Sequence, residues 1–133
     1  VGLNPSTADE TQDDPTIRRC VGFAKAWGYQ ALCMVNLFAF RATRPDDMLA
    51  AADPVGPDND AHLRALSGEA GVIVAAWGAL GTHRGRDVEV CALLPALHCL
   101  TLTKGGQPGH PLYLPRRLTP IPMGSGMPSR EES

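Results

Sequence analysis

Four apolar runs separated by amphipathic segments set the pattern of this chain. Val1 to Leu3 has the character of a strand end, and Ala31 to Phe38 is a continuous apolar run typical of a strand buried on both faces. Val72 to Trp77 and Leu97 to Leu102 are two further runs of this kind. Because segments with helical features separate them, the four runs predict the strands of a mostly parallel sheet.

The segments between these runs carry helix start and stop signals. The first helix is expected from Pro15 to Gly28, with Asp14 as its cap and proline at the first helical position. The second helix starts within Pro57 to Asp60 and ends at Gly71, and a short helical turn is expected around Asp46 to Ala51. The last helix is expected from Arg86 to Leu94.

This alternation predicts an α/β fold: a three-layer sandwich with a mostly parallel four-stranded sheet. The chain has 133 residues, which suits one domain. That domain is expected over residues 1–120, and residues 121–133, rich in Pro, Ser, Gly and Glu, are expected to form a disordered tail. A start at Val1, inside a strand and without Met, indicates that an N-terminal segment is missing.

Composition and charge narrow the classes of function. The net charge is −2, so the whole surface is not a polyanion-binding surface, and any contact with nucleic acid must be local. No apolar run approaches the ~18 residues that span a membrane, which predicts a protein without a membrane segment. The cysteines lack metal-binding spacing and are interpreted as buried, reduced thiols of a cytoplasmic protein; they are Cys20, Cys33, Cys91 and Cys99.

Polar residues gather after the predicted strands. In a parallel sheet the loops that follow the strands meet at one edge, where ligands bind. We therefore expect the side chains of Asn4, Asn36 and His110 to face one pocket, on the scale of a small-molecule site. The same loops carry further polar or aromatic candidates: Ser6, Thr7, Asp9, Arg41, Trp77 and Lys104.

Several of these residues have structural alternatives. Asn4 before Pro5 is a common turn former, and Trp77 at a strand end is also typical of a core. The Asn36 amide, within an apolar strand, must find partners or cost about 1–3 kcal/mol, and loop backbone can supply them. The glycine-rich stretches lack the phosphate-loop and dinucleotide-binding patterns, which excludes a phosphate-loop nucleotidase.

The sequence predicts no metal site and no cofactor. Aspartates are plentiful enough for magnesium to stay an alternative, although no spacing dictates a site. These aspartates are Asp9, Asp13, Asp14, Asp58 and Asp60.

Short blocks along the chain resemble a family of bacterial and phage proteins, domain of unknown function DUF1643. The blocks occur in order as LNPSTAD, DDPTIRRC, NLFAFRAT, AAWGALG and LTKGGQPGHPLYL, and the resemblance extends from Leu3 to about Pro120. Members of that family carry an additional N-terminal segment that leads into the first strand. The family name implies no function.

A second resemblance is to the uracil-DNA glycosylase superfamily. Val1-Gly2-Leu3-Asn4-Pro5 is similar to a water-activating loop of that superfamily, and His110-Pro111 is similar to the loop that steadies the departing base. Asn36 falls near the position that reads the base. Departures are Ser6 in place of a glycine and Leu112-Tyr113 in place of Ser-Pro.

The second resemblance implies an enzyme that cleaves or exchanges the N-glycosidic bond of a nucleobase in a nucleotide or nucleic acid. Asn4, Asp9 and His110 would be catalytic. The base, which must first be flipped out of a duplex, and its phosphates would be bound by the remaining candidates. These are Ser6, Asn36, Arg41, Trp77 and Lys104.

Two other functions stay open. The same pocket fits a non-catalytic module that binds a nucleotide or modified base, and the fold also fits a structural or partner-binding protein. The charge of the pocket rim separates these cases, because Asp58 and Asp60 facing inward would favour a small ligand or a metal. A basic rim would favour nucleic acid, and its candidates are Arg41, Arg44, Lys104 and Arg116. The sequence gives no oligomeric state.

Overall fold

A computed structural model describes residues 1–5, 14–94 and 96–123 of the chain, and within these it has four α-helices and three short strands. Two 3₁₀ segments, Ala79–Gly85 and Pro111–Tyr113, complete the regular structure. The helices are α1 (Pro15–Ala26), α2 (Pro45–Ala50), α3 (Asn59–Ser67) and α4 (Arg86–Leu93). The strands are β1 (Ile73–Ala75), β2 (Leu97–Cys99) and β3 (Ile121–Pro122).

The three strands form a mixed sheet in the order β1-β2-β3. β1 and β2 are parallel, with Ile73 opposite Leu97, whereas β3 runs antiparallel to β2 with Ile121 opposite Cys99. Mixed α/β architecture is therefore confirmed, but the predicted four-stranded sheet is wrong for the described residues. β3 stands at one end of this sheet.

The first apolar run lies beside β1 and the second run lies beside the first, but neither forms a full strand. Gly2 N donates to Val35 O at 2.8 Å, Leu37 N donates to Gly2 O at 3.0 Å, and Ala76 N donates to Val1 O at 2.8 Å. Pairing of the two runs is limited to one parallel bridge, Gly2 with Asn36. Pro5 has no backbone N–H with which to continue this pairing, and residues 31–33, expected to be buried, are exposed.

Local signals explain where the helices begin. Asp14 Oδ1 accepts hydrogen bonds from the backbone N–H of Thr16 at 2.8 Å and of Ile17 at 3.3 Å, which caps α1 as predicted. Gly28 has φ +86°, a conformation that glycine adopts at little cost, and the chain leaves the helix there. Proline also opens α2, at Pro45.

The hydrophobic core lies between the sheet and the later helices. Met48 of α2, Leu63 of α3 and Val90 of α4 are fully buried in one cluster with Ala75 and Leu97 of the strands. α1 lies elsewhere and, with Val74 and residues 31–35, lines a cavity of about 670 Å³. Side chains alternate along a strand, so Val74 faces away from Ala75 and α1 contributes to the opposite side of the sheet.

The segments that follow β1 and β2 contain regular hydrogen bonding. The glycine-rich stretch after β1 is the 3₁₀ segment Ala79–Gly85, with a kink at His83 and Arg84. After β2 the chain forms a small hairpin, in which Leu102 pairs with Pro108 and Thr103 N donates to Gln107 O at 2.7 Å. The segment from Lys104 is therefore held within this hairpin.

Regular structure in the described residues continues beyond the predicted boundary at residue 120. Ile121–Pro122 pairs with β2, and Met123 is buried with its N–H donating to Leu97 O at 3.1 Å. β3 thus belongs to the domain, whereas the sequence assigned it to a disordered tail. Residues 124–133 lie outside the described part of the chain.

Two further expectations concern membranes and cysteines. No helix in the described ranges is long and apolar enough to cross a membrane. No disulfide joins the four cysteines. Cys99 is buried as expected, but Cys33 is exposed because residues 31–33 do not enter the sheet.

Candidate functional site

At the carboxyl edge of the sheet, hydrogen bonds join the loop that follows residues 1–3 to the loop that follows residues 31–38. The side-chain Nδ2 of Asn4 donates to Phe40 O at 3.2 Å and to Ala42 O at 3.0 Å, and Ala42 N donates back to Pro5 O at 2.9 Å. Asn4 Nδ2 also lies 3.2 Å from Pro5 O. The amide hydrogens of Asn4 therefore fix the loop that follows the second apolar run. This agrees with the structural alternative given above, in which an asparagine before proline helps to form a turn.

The loop after β1 and the loop after β2 are joined at Gly78. Its N–H donates to Pro108 O at 2.9 Å, and its φ of +75° and ψ of −169° belong to a region that is essentially restricted to glycine. A Cβ at Gly78 would lie 4.0 Å from the Cβ of His110. Gly78 therefore connects the end of β1 to the segment that leads to His110.

His110 is half-buried and is held by its own loop. Its Nδ1 accepts a hydrogen bond from the backbone N–H of Leu112 at 3.3 Å, so in the neutral ring the proton is assigned to Nε2. Burial lowers the pKa of His110, and the carboxylate of Asp14 opposes this shift. The ring also packs at 5.4 Å between centroids against Tyr113, whose side chain is 83% exposed. His110 is thus a neutral hydrogen-bond donor at near-neutral pH.

Asn36 is half-buried beside the start of the chain. A Cβ at Gly2 would lie only 2.8 Å from Asn36 Oδ1, so the amide occupies the space that glycine leaves open. The backbone oxygen of Asn36 accepts from Asn59 Nδ2 at 3.0 Å, and Asn59 Nδ2 also donates to Leu37 O at 2.9 Å. Asn59 at the first position of α3 therefore anchors the end of the second apolar run.

Trp77 belongs to the core. It is 2% exposed, and its Nε1–H donates to Gln107 Oε1 at 2.9 Å. Gln107 Nε2 in turn donates to Asp87 Oδ2 at 3.0 Å. This corrects the expected substrate-binding role of Trp77, because a ring that is 2% exposed has no face available to a ligand.

A buried arginine also lies behind the sheet edge. Arg86 is 1% exposed, and its Nε donates to Leu37 O at 2.7 Å. Its guanidinium pairs with Asp60 at 2.5 Å and with Glu89 at 3.3 Å. The carboxylate of Asp60 therefore pairs with Arg86. Of the two carboxylates considered for an acidic pocket rim, only that of Asp58 remains.

The remaining sequence candidates divide into two groups. The basic rim candidates are exposed: Arg41, Arg44, Lys104 and Arg116. Ser6, Thr7, Asp9 and Asp13 lie outside the described residues, so their predicted roles stay predictions. Within the described ranges, no group of three or more His, Cys, Asp or Glu side chains is arranged to hold a metal ion.

Comparison with known proteins identifies a family. The family described as "Protein of unknown function (DUF1643)" matches residues 1–112. The chain belongs to DUF1643. Searches of the curated proteins and of the solved structures gave no match. The resemblance to the uracil-DNA glycosylase superfamily therefore stays a hypothesis.

The sequence pattern did not predict that polar residues of this DUF1643 chain would be buried and hydrogen-bonded within the core. Arg86 and Asp87 open a helix directly after a glycine-rich segment, where charged residues are ordinarily solvated. Gln107 was one of several polar residues in a loop, and its partners Trp77 and Asp87 lie 30 and 20 positions away. One local signal was present: Arg86 lies four positions before Val90, which places both on one face of the amphipathic helix.

Proposed function

We propose that this protein binds the nucleobase of a nucleotide or nucleic acid at the carboxyl edge of its sheet and cleaves or exchanges the N-glycosidic bond of that base. The substrate contact is assigned to His110, which lies where the loop after β1 meets the loop after β2. Asn36 and Arg41 are the candidates for reading the base and contacting a phosphate. Trp77 is omitted because it is buried.

In the hydrolytic form of the reaction, the bond between the anomeric carbon and the base nitrogen breaks. The electron pair leaves with the base, water supplies the hydroxyl that joins the anomeric carbon, and the remaining proton of that water is delivered to the base. His110 Nε2–H would donate a hydrogen bond to the base carbonyl oxygen as negative charge develops there. Asp9 is the candidate for accepting the proton of the attacking water, as the sequence predicted.

The observation that supports the role of His110 is its hydrogen bond with Leu112. Because Nδ1 accepts the Leu112 N–H at 3.3 Å, the single proton of the neutral ring is directed to Nε2. The lowered pKa keeps the ring neutral near pH 7, so it donates a hydrogen bond without itself acting as a strong acid. A donor of this kind suits a leaving base that becomes an anion.

A second candidate function is binding without cleavage. Its support is that the Nδ2 of Asn4, the residue expected to orient water, already donates to backbone carbonyls at 3.0 and 3.2 Å. An amide used in this way stabilises a loop, and a pocket built on it can hold a nucleotide or a modified base without turnover.

The test is a panel of oligonucleotides that carry deaminated or modified bases, assayed both for abasic sites and for binding. The cleavage proposal expects abasic sites with the unmodified sequence and a loss of about 10²–10³-fold in rate with His110→Ala, because one donor to the developing anion is removed. His98→Ala is the matched control, since His98 lies on β2 with its Nδ1 3.1 Å from Ala96 O.

Three outcomes separate the candidates. Abasic sites that depend on His110 and not on His98 support cleavage. Binding of one modified base without abasic sites supports the binding module and overturns cleavage. Neither binding nor abasic sites across the panel overturns both.

A further inference from the structure

A second cavity lies away from the buried core, between α1 and the segment that follows His110. Its volume is about 590 Å³. Three of its lining residues are arginines, and no carboxylate is among the lining residues in the described ranges. This arginine cleft is lined by Pro15, Arg18, Arg19, Gly22, Phe23, Ala26, Leu112 and Arg116.

Arg19 is held in place without being neutralised. Its Nη1 donates to Leu114 O at 3.1 Å and its Nη2 to Leu112 O at 3.4 Å, so the half-buried guanidinium is oriented by two neutral carbonyls. Neither ion pair resolved among the described residues involves Arg19. A guanidinium has further N–H donors and retains its full charge, so it is prepared to bind an anion with two parallel hydrogen bonds.

The opposite wall and the floor of the arginine cleft also suit an anion. Arg116, on the segment after the Pro111–Tyr113 turn, is exposed and lines the cleft from the side opposite α1. Gly22 lies one helical turn beyond Arg18 and Arg19, and a Cβ built there would meet nothing within 4 Å. Glycine thus leaves the floor open. Asp14 at the start of α1 caps the helix and does not line the arginine cleft.

The arginine cleft and His110 share one turn of the chain. Leu112 lines the cleft, while its backbone N–H donates to His110 Nδ1 at 3.3 Å. Leu112 O is also bonded to Arg19 at 3.4 Å. His110 and the arginine cleft are therefore connected through the backbone of Leu112.

We propose that the arginine cleft binds a phosphate group, and that this phosphate belongs to the nucleotide or nucleic-acid strand whose base faces His110. The identity of the ligand rests on the proposed function, whereas the capacity for phosphate rests on the arginines alone. The chain has a net charge of −2, so a cleft that presents Arg19 and Arg116, with no carboxylate among its described lining residues, is a local feature and not a consequence of overall charge.

The experiment measures binding of two probes, a labelled single-stranded oligonucleotide and an unlabelled nucleoside monophosphate, over a series of salt concentrations. Arg116→Gln is expected to weaken binding about tenfold, equivalent to about 1.4 kcal/mol. For the oligonucleotide, it is also expected to reduce the salt slope by about 0.7, the value for one lost phosphate contact with a single strand. Arg19→Gln is expected to weaken binding similarly, with folding checked by circular dichroism because Arg19 also holds the Leu112 turn.

Two matched controls separate a site from diffuse attraction. Arg117→Gln removes the same charge one residue along the chain, at an exposed position that does not line the arginine cleft, and is expected to leave binding unchanged. Gly22→Glu and Gly22→Gln place side chains of equal length on the cleft floor. Because only glutamate adds negative charge, it is expected to bind phosphate at least fivefold more weakly than the glutamine variant.

The outcomes decide the proposal without reference to catalysis. Strong oligonucleotide binding with weak monophosphate binding assigns the phosphate to a strand, and comparable binding of both assigns it to a nucleotide. Equal weakening of binding by Arg116→Gln and Arg117→Gln would overturn the proposal that the arginine cleft binds phosphate. The absence of binding of either probe to the unmodified chain would overturn it as well. Phosphate binding in the absence of abasic sites would support the cleft while the cleavage proposal fails.

Discussion

The indole Nε1 of Trp77 donates a hydrogen bond to Oε1 of Gln107 at 2.9 Å, and both side chains are 2% exposed. Gln107 Nε2 continues the chain of hydrogen bonds to Asp87, which is fully buried. Three elements meet here: the residue two positions beyond β1, the hairpin that leads to His110, and the start of α4. The position of the His110 loop therefore depends on a polar connection inside the core.

Replacing Gln107 with leucine tests this connection. Gln107→Leu removes both hydrogen bonds and leaves a buried indole N–H and a buried carboxylate with fewer partners, so the free energy of unfolding should fall by about 2–4 kcal/mol. Urea denaturation followed by tryptophan fluorescence measures the loss. Gln30→Leu, at an exposed position, is the control and should stay within about 0.5 kcal/mol. An unchanged unfolding midpoint for Gln107→Leu would show that the connection contributes nothing.

Gly81 must lack a side chain because of the same tryptophan. A Cβ at Gly81 would fall 2.0 Å from Trp77 Cδ1 and 2.5 Å from Nε1. Gly81→Ala should therefore displace the indole and destabilise the fold by about 1–3 kcal/mol or more, as overpacking does. Thermal unfolding compares it with Gly105→Ala, whose Cβ would meet only Thr103 Oγ1 at 3.9 Å. Equal melting temperatures for the two variants would contradict the contact.

The charge of Asp14 should be detectable in the titration of His110. Burial lowers the pKa of His110 and Asp14 raises it in part, so Asp14→Asn should lower this pKa further. Asparagine caps a helix as well as aspartate does, so the change isolates the charge. Proton NMR of the ring across pH measures the effect, and Asp46→Asn, at an exposed position at the start of α2, is the control. A higher pKa in Asp14→Asn would reject the assignment.

His110 should also make stability depend on pH in one direction. Its folded pKa lies below the ordinary value of 6.5, so the folded state binds fewer protons than the unfolded state as the pH falls below 6.5. The contribution of His110 is therefore complete above pH 6.5 and is lost as the pH falls through the lowered folded pKa. His110→Asn should flatten this part of a denaturation series, and an unaltered pH dependence would exclude the contribution.

Gly22 offers a stabilising change. It lies within α1, without positive φ, and an added Cβ meets nothing within 4 Å. Gly22→Ala should raise the free energy of unfolding by about 0.5–1 kcal/mol, since glycine loses more backbone entropy than alanine in a helix. Gly28→Ala should have the opposite effect, because Gly28 has φ +86°. Denaturation of the two variants measures this contrast, and a loss of stability in Gly22→Ala would contradict it.

The sequence predicted best the elements whose causes are local. α1 begins where Asp14 and Pro15 predict, and α4 follows the predicted range closely, because caps, proline and helical periodicity act over a few residues. The sheet was predicted less well. An apolar run forms a strand only where a partner strand lies beside it. Residues 31–33 have no such partner among the described segments, and they stay exposed.

Side-chain roles at the candidate site were harder to predict for the same reason. Trp77 was assigned to a ligand because it ends a strand, yet Gln107, 30 positions later, determines that it is buried and bonded. Asp60 was considered for a ligand or a metal, and it pairs with Arg86 across 26 positions. The sequence pattern identified the loops that carry polar groups but did not identify which of those groups bond to each other.

Pro122, in β3 at the end of the sheet, has no backbone N–H to offer a neighbouring chain. A two-residue strand that contains proline is a poor template for strand addition, so β3 covers this edge of β2 and limits its pairing with other molecules. Shortening the chain before Ile121 would uncover that edge of β2, and aggregation would be its first consequence.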